Sequence, residues 1–397
     1  MGHDFRRVIN GGFSCSGEDL IIAQMFLKRL PRSKTDPMKS AEITEQGQHT
    51  LGEILSQPQC WSTCQAKLAG SSELRAAVQL ARPGAEWILV GCGTSYYLAQ
   101  AAAASFNYLK LPAQAVPASD LLMCPALTLH AGRDYIPVVI SRSGRTSEAV
   151  CAAEMLEKDR NLRTLAITCA DGEPLESACS VTVKFLDADE QSTVMTRSFS
   201  SMLLGLQYLA ATVSGDDAFR HALTVLPQQV APLLKDIPQR LRLFAESRSF
   251  SDFVFLAQGP LFGIASEYML KVTESSCSYA QVFHSLEFRH GPKSIAGPET
   301  LITFLMSESF YDAELELLEE MKALGAATMV IANCVNSRAQ GASDFAIELG
   351  LESPEYARPA AFAIWGQLYG VYYGLKKGLN PDSPKNLTRA VVLAGSP

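Results

Sequence analysis

EWILVGCGTSYYLAQAAAA, residues 86–104, is an apolar run that stops at a glycine turn and continues with helical spacing. DFVFLAQGPLFGIASEYML, residues 252–270, has the same layout. The likeness extends outward from both. Gly93 and Ser141 are 48 residues apart, and so are Gly259 and Ser307. VVISRSGRTSEA then aligns with FLMSESFYDAEL, TLAITC (164–169) with TMVIANC (328–334), and VTVKFL with FAIELG. Strands alternating with helices at this spacing imply parallel α/β units. The sequence therefore predicts an α/β fold of two tandem units, each a parallel sheet flanked by helices, over 75–215 and 245–397. A helical linker, 216–244, carries Pro227, Pro232 and Pro238 nearby, and 38–74 reads as an N-terminal helical segment. Residues 1–37 are expected to be an extension without an assigned role, or a misassigned start ahead of Met38.

The two copies differ where chemistry is expected. In SRSGRTSEAV (141–150) a buried-looking strand ends in the hydroxyls Ser141, Ser143 and Thr146, with Gly144 between them. A strand–turn–helix junction offers backbone N–H groups and the positive helix end to an anion. Ordinary helix capping would use the same residue types. However, the first copy also carries GCGTS at 91–95, whereas the second has QGPLF and SESFYD, which replace small hydroxyls by bulk and acid. That asymmetry points to an anion site at Thr94, Ser95, Ser141, Ser143 and Thr146 of the first copy.

Composition narrows the ligand. The chain has 397 residues and a net charge of −7, and no basic run with interleaved aromatics. Nucleic acid and anionic membrane surfaces are not expected partners. No apolar segment is long enough to cross a bilayer, and LIIAQMFLKRLPR in the N-terminal part lacks a signal-peptide cleavage site. The ten cysteines are scattered without a CxxC pair, which fits reduced thiols in the cytoplasm. No His/Cys cluster has zinc spacing and no dinucleotide fingerprint is present, so neither a metal nor another cofactor is expected.

Reactive groups concentrate in SEYMLKVTESSCSYAQVFHSLEFRHGPKSI, residues 266–295. Glu267, Lys271 and Glu274 share one helix face by spacing, either as an exposed salt-bridged face or as part of a site. His290 precedes a Gly-Pro turn. A carboxylate, a lysine and a histidine near an anion site would form an acid/base set.

Taken in order, GCGTS, SRSGRTSEA, MTRSFSSML (195–203), EYMLKVTE, EFRHGPKS and the tail NPDSPKNLTR (380–389) resemble the double sugar-isomerase (SIS) domain proteins across about 50–395. Within that group the chain resembles the tagatose-6-phosphate ketose/aldose isomerases and amino-sugar-6-phosphate deaminases, and the isomerase half of glutamine–fructose-6-phosphate aminotransferase. The resemblance implies that Thr94, Ser95, Ser141, Arg142, Ser143 and Thr146 lie on sugar-phosphate loops, with Arg142 where the aminotransferase has Gln. It implies that Glu274 moves a proton between C1 and C2 through an enediol-like intermediate, with Lys271 beside it. His290 falls on the ring-opening histidine that reaches the site from a partner subunit, which implies a homodimer. Thr196 and Arg389 are further substrate-binding candidates. The chain departs from the aminotransferase in having no recognisable glutaminase domain. Arg389 also stands where that enzyme has a Schiff-base lysine, and a guanidinium does not lose its proton readily enough to attack a carbonyl. The expected activity is aldose–ketose isomerisation of a sugar phosphate, with loss of ammonia from a 2-amino-sugar 6-phosphate. The alternatives are a fructosamine-6-phosphate deglycase and a non-catalytic phosphosugar sensor.

Overall fold

The computed structural model describes residues 46–393; the expectation for residues 1–37 lies outside the described residues. Three helices, α1 (Gln48–Leu55), α2 (Gln57–Leu68) and α3 (Ser72–Val78), precede the first sheet. Unit 1 runs β1 (Glu86–Gly91), α4 (Thr94–Tyr108), β2 (Ala113–Pro117), α5 (Ala118–Met123), β3 (Tyr135–Ile140), α6 (Ser147–Glu154), β4 (Leu165–Thr168), α7 (Pro174–Ala178), β5 (Val181–Lys184) and α8 (Arg197–Ser214). Helices α9 (Asp217–Val230) and α10 (Ile237–Ser247) lead to unit 2. It runs β6 (Asp252–Ala257), α11 (Phe262–Ser276), β7 (Tyr279–His284), β8 (Thr300–Met306), α12 (Tyr311–Ala323), β9 (Ala327–Ala332), α13 (Ser337–Ala342), β10 (Phe345–Glu348) and α14 (Pro359–Lys376).

Both sheets are parallel and five-stranded, with the same order: β2-β1-β3-β4-β5 and β7-β6-β8-β9-β10. Strand alternation divides the core into three parts. Ile88 and Val90 of β1 face an outer core in unit 1, and Val254 and Leu256 of β6 face an outer core in unit 2. Their neighbours Trp87, Leu89, Phe253 and Phe255 point into one core shared by both units and by the surrounding helices. The units are therefore packed on each other through a continuous apolar interior, and burial of that interior is the main stabilising term.

Close helix packing fixes the helix that carries the reactive segment. On α14, Gly366, Gly370 and Gly374 recur every four residues and face α11. A Cβ at Gly370 would lie 2.8 Å from the Lys271 carbonyl oxygen, and one at Gly374 2.1 Å from that of Ser275. On its other side α11 meets α4, where a Cβ at Gly263 would lie 2.5 Å from the Tyr97 carbonyl oxygen. Glycine at these points lets α11 approach both neighbours at backbone distance. Lys271 of unit 2 is thereby brought against Thr94 of unit 1.

Candidate active site

The sheet order of unit 1 reverses between β1 and β3, the place where open α/β sheets present a ligand crevice beyond their strand ends. A cleft of about 250 Å³ opens there. Its walls come from four parts of the chain: the turns after β1 and β3, the loop Thr193–Met195, Leu270 and Glu274 of α11, and the C-terminal segment Leu387–Val391. Thr94, Ser95, Ser141, Ser143 and Thr146 all line it.

Backbone requirements explain the glycines of these turns. A Cβ on Gly91 would sit 2.5 Å from the Ser95 carbonyl carbon, so only glycine lets the first turn of α4 fold back onto β1. Gly144 has φ +65°, and a Cβ there would meet the Glu173 side chain at 2.8 Å. The group that crowds Gly144 is thus the Glu173 side chain. Ser141 Oγ donates to Thr146 Oγ1 at 3.4 Å, which holds two of the hydroxyls across the mouth of the turn.

The corresponding turn of unit 2 is filled by the protein itself. Glu314, buried on α12, accepts from Ser307 N–H at 2.8 Å, Ser307 Oγ at 3.1 Å and Ser285 Oγ at 2.6 Å. Burial pushes its carboxyl up to about 7 despite those hydrogen bonds. A carboxylate built into the fold occupies the donors that unit 1 leaves facing a cleft. This is the structural form of the asymmetry between SRSGRTS and SESFYD.

Glu267, Lys271 and Glu274 share a face of α11, as their spacing predicts, but the face is buried rather than solvated. Glu267 and Lys271 are 0% and 1% exposed. Lys271 Nζ donates to Thr94 Oγ1 at 3.2 Å and to the Glu274 carboxylate, and lies 3.5 Å from Glu267. Lys271 thus sits behind the cleft wall, while Glu274 reaches the cleft. One ammonium cannot balance both the buried Glu267 and the partly exposed Glu274. Burial works against the Lys271 charge, but Glu267 and Glu274 outweigh it and hold its pKa above the ordinary lysine value. Burial pushes Glu267 up to about 8, with the Lys271 charge opposing it, so Glu267 is the member that takes a proton near neutrality.

A stability prediction follows from that protonation. The folded Glu267 keeps a proton that the unfolded chain loses near 4.5. Between about pH 4.5 and 8 the folded state therefore binds more protons, and this group makes stability fall as pH rises, by roughly 1.4 kcal/mol per pH unit. Glu267→Gln mimics the protonated form and should flatten that part of the profile. Urea unfolding at pH 5.5 and 8.5 measures it; parallel pH slopes for both proteins would refute the assignment.

Arg142, Thr196, His290 and Arg389 complete the residues singled out from sequence. The Arg142 side chain is 3% exposed and its Nη1 meets the Glu190 carboxylate at 3.1 Å. Thr196 is fully buried and donates through N–H at 2.6 Å and Oγ1 at 2.8 Å to the same carboxylate, and the cleft beside it is lined by Thr193, Val194 and Met195. Arg389 is partly exposed, lines the cleft and pairs with Asp189. His290 is exposed on the loop beyond edge strand β7 and does not line the cleft. Glu190 is the residue that sequence reasoning missed. It accepts from Thr196, from Ser198 N–H and Oγ, and from Arg142, and so caps α8 and orders the loop that borders the cleft. Glu53 does similar work one step further out, accepting from Gln191 N–H, Ser192 N–H and Ser192 Oγ. Among the described residues no His/Cys/Asp/Glu cluster could hold a metal ion, and no helix is long and apolar enough to cross a membrane.

Comparison with known proteins agrees with this architecture. Residues 82–212 match the SIS domain family. The chain is 29% identical over 365 residues to D-galactosamine-6-phosphate deaminase AgaS of Shewanella sp. (strain ANA-3), covering 87% of this chain and 90% of the relative. It is 26% identical over 310 residues to glutamine–fructose-6-phosphate aminotransferase of Sulfolobus acidocaldarius, covering 77% of this chain but only 50% of that relative. Tagatose-6-phosphate ketose/aldose isomerase from Escherichia coli has the same fold, with a TM-score of 0.74 at 23% identity over 90% of this chain and 99% of its own. Unit 2, which lies outside the stretch matched to the SIS domain family, repeats the strand order of the unit that carries that match.

Proposed function

We propose that the protein is a sugar-phosphate isomerase that deaminates a 2-amino-sugar 6-phosphate, giving a ketose 6-phosphate and ammonia. The observation that carries this reading is the position of Glu274. A carboxylate paired with a buried lysine opens into the same cleft as five hydroxyl side chains at the ends of β1 and β3. Likeness to the Shewanella deaminase along nearly the whole of both chains supports the amino-sugar substrate class.

The chemistry uses this chain's own groups. Hydroxyls and N–H groups of the two turns hold the phosphate, and binding at that remote end positions C1 and C2 against Glu274. Glu274 takes the C2 proton of the open-chain amino aldose. The C2–H electron pair forms the C1=C2 bond of an enaminol as the C1 carbonyl oxygen gains a proton. Return of the proton to C1 leaves a C2 imine, and water adds to it and expels ammonia. Net consumption is one water per ammonia released. The Lys271 ammonium donates to the Glu274 carboxylate and orients it as the base. Arg389 binds or screens the substrate without forming a Schiff base. His290, outside the cleft of its own chain, serves as the ring-opening group of a partner's cleft, so the reading carries a cytoplasmic homodimer with it.

Ammonia release from glucosamine, galactosamine and N-acetylated 6-phosphates, with a fructosamine 6-phosphate as control, tests the reading. Stoichiometric ammonia and ketose 6-phosphate from one free amino sugar is the expected result. Binding without ammonia, or amine release from the fructosamine phosphate alone, would replace it by a sensor or a deglycase.

A further inference from the structure

The repeat places an ion pair of reversed sign at equivalent points of the two units. Adding the 166-residue offset between Gly93 and Gly259 carries Arg142 onto Glu308. Arg142 pairs with Glu190, whose carboxylate caps α8; Glu308 pairs with Arg358, the residue before α14. Both pairs tie the turn after the third strand of a unit, in chain order β1-β2-β3 and β6-β7-β8, to the entry of that unit's last helix. In unit 2 the carboxylate is 47% exposed, whereas in unit 1 the partners are 3% and 0% exposed. A strut alone can be built with either sign. Unit 1 has the guanidinium on the turn, and the guanidinium has donors beyond the strut.

Both Nη groups of Arg142 are engaged by the protein, while its Nε is buried without a partner among the described residues and the residue lines the cleft. Nη1 faces Glu190 and the carbonyls of Ser192 and Val194, at 3.4 and 3.2 Å. Nη2 donates to the Thr193 carbonyl at 2.8 Å and to the Arg389 carbonyl at 3.0 Å. The Arg389 carbonyl belongs to a C-terminal segment that is first pinned on α1, where Asp382 accepts from Thr50 N–H at 2.8 Å. It then crosses to α6, where Val391 O accepts from Ser147 N–H at 3.1 Å. Between those anchors it forms one wall of the cleft.

We infer that Arg142 is a positioning residue: through its two Nη groups it fixes the C-terminal wall against the loop 190–194 and thereby sets substrate fit. This rests on the function proposed above. A wall that touches the substrate equally in the ground and transition states changes KM rather than kcat. Loss of a charged hydrogen bond corresponds to about a tenfold effect.

The experiment compares Arg142→Gln and Arg142→Lys in the full-length protein. Lysine keeps a cation beside Glu190 and so protects the fold, but it lacks the planar fork that reaches loop and tail together. With the amino-sugar 6-phosphate that the panel identifies, Arg142→Gln should raise KM about tenfold with kcat within about twofold, and Arg142→Lys should fall between it and the parent. Without any ligand, trypsin should cut after Lys385 and Arg389 faster in Arg142→Gln than in the parent, before cuts elsewhere. A fall in kcat at constant KM overturns the inference. So does tail cleavage at the parent rate, because a direct phosphate ligand would raise KM without loosening the empty tail. If the parent turns over no amino-sugar phosphate, the functional reading fails, while the trypsin comparison still decides the role of Arg142.

Discussion

Glu274→Gln is expected to lose turnover by roughly 10³-fold or more, the scale of a positioned general base, while sugar-phosphate affinity stays within about threefold of the parent. The side chain keeps its shape, so the cleft and both phosphate turns are unchanged. What is lost is the ability to accept the C2 proton. The fold should tolerate the change because the cluster rebalances. Lys271 lies between two carboxylates, and when Glu274 becomes neutral its charge favours ionisation of Glu267, so the buried net charge stays near zero. Exchange of the substrate C2 hydrogen with deuterated solvent separates chemistry from binding. Exchange should stop in the variant while calorimetric binding persists. A variant that turns over at the parent rate would remove Glu274 from the mechanism, and one that no longer binds would make it a ligand rather than a base.

How much of this was legible in the sequence depends on what each residue's neighbours are. Inner strands such as Tyr135–Ile140 and Thr300–Met306 are buried along their whole length, so they read as uninterrupted apolar runs and their repeat exposed the fold. The edge strands β2 and β7 were not foreseen. Each pairs with a single neighbour and is half exposed, so YAQVFH carries no run of apolar residues to set it apart. The hydroxyl-rich turns were legible because both copies are present for comparison, and Glu314 now gives the physical reason for their difference. Burial of the Glu267–Lys271 pair was not legible: spacing places residues on a helix face, but only the glycine stripe of α14 and the backbone of α4 show that the face is covered. Glu190 lies in DADEQSTV, which looks like an acidic surface loop. The signal available for it was the reversal of charge at Arg142 and Glu308, and that signal has meaning only once each partner is known.

The same reversal gives a second large effect. Glu190→Ala should destabilise the protein by about 3–5 kcal/mol, because it leaves the Arg142 guanidinium buried without its counter-charge and uncaps α8 at once. Thr196 N–H, Thr196 Oγ1, Ser198 N–H and Ser198 Oγ all lose their acceptor in the same step. Glu308→Ala removes the matching carboxylate of unit 2, but from a site where water already reaches it. Arg358 retains the Ser353 carbonyl, and Asn333 loses one of its two acceptors. Arg358 itself is 7% exposed, but with its partner carboxylate half in water the loss should stay below that at Glu190, at about 1–3 kcal/mol. Denaturant unfolding of the two variants beside the parent therefore compares one interaction, at equivalent points of one repeat, in two dielectric environments. Equal losses would mean that Glu190 acts only as a helix cap and that burial adds nothing to its pairing with Arg142. A larger loss at Glu190 would place the cost in the stranded guanidinium, and Glu190→Ala combined with Arg142→Met should then recover much of it, since a buried ion pair removed as a whole costs far less than either half removed alone.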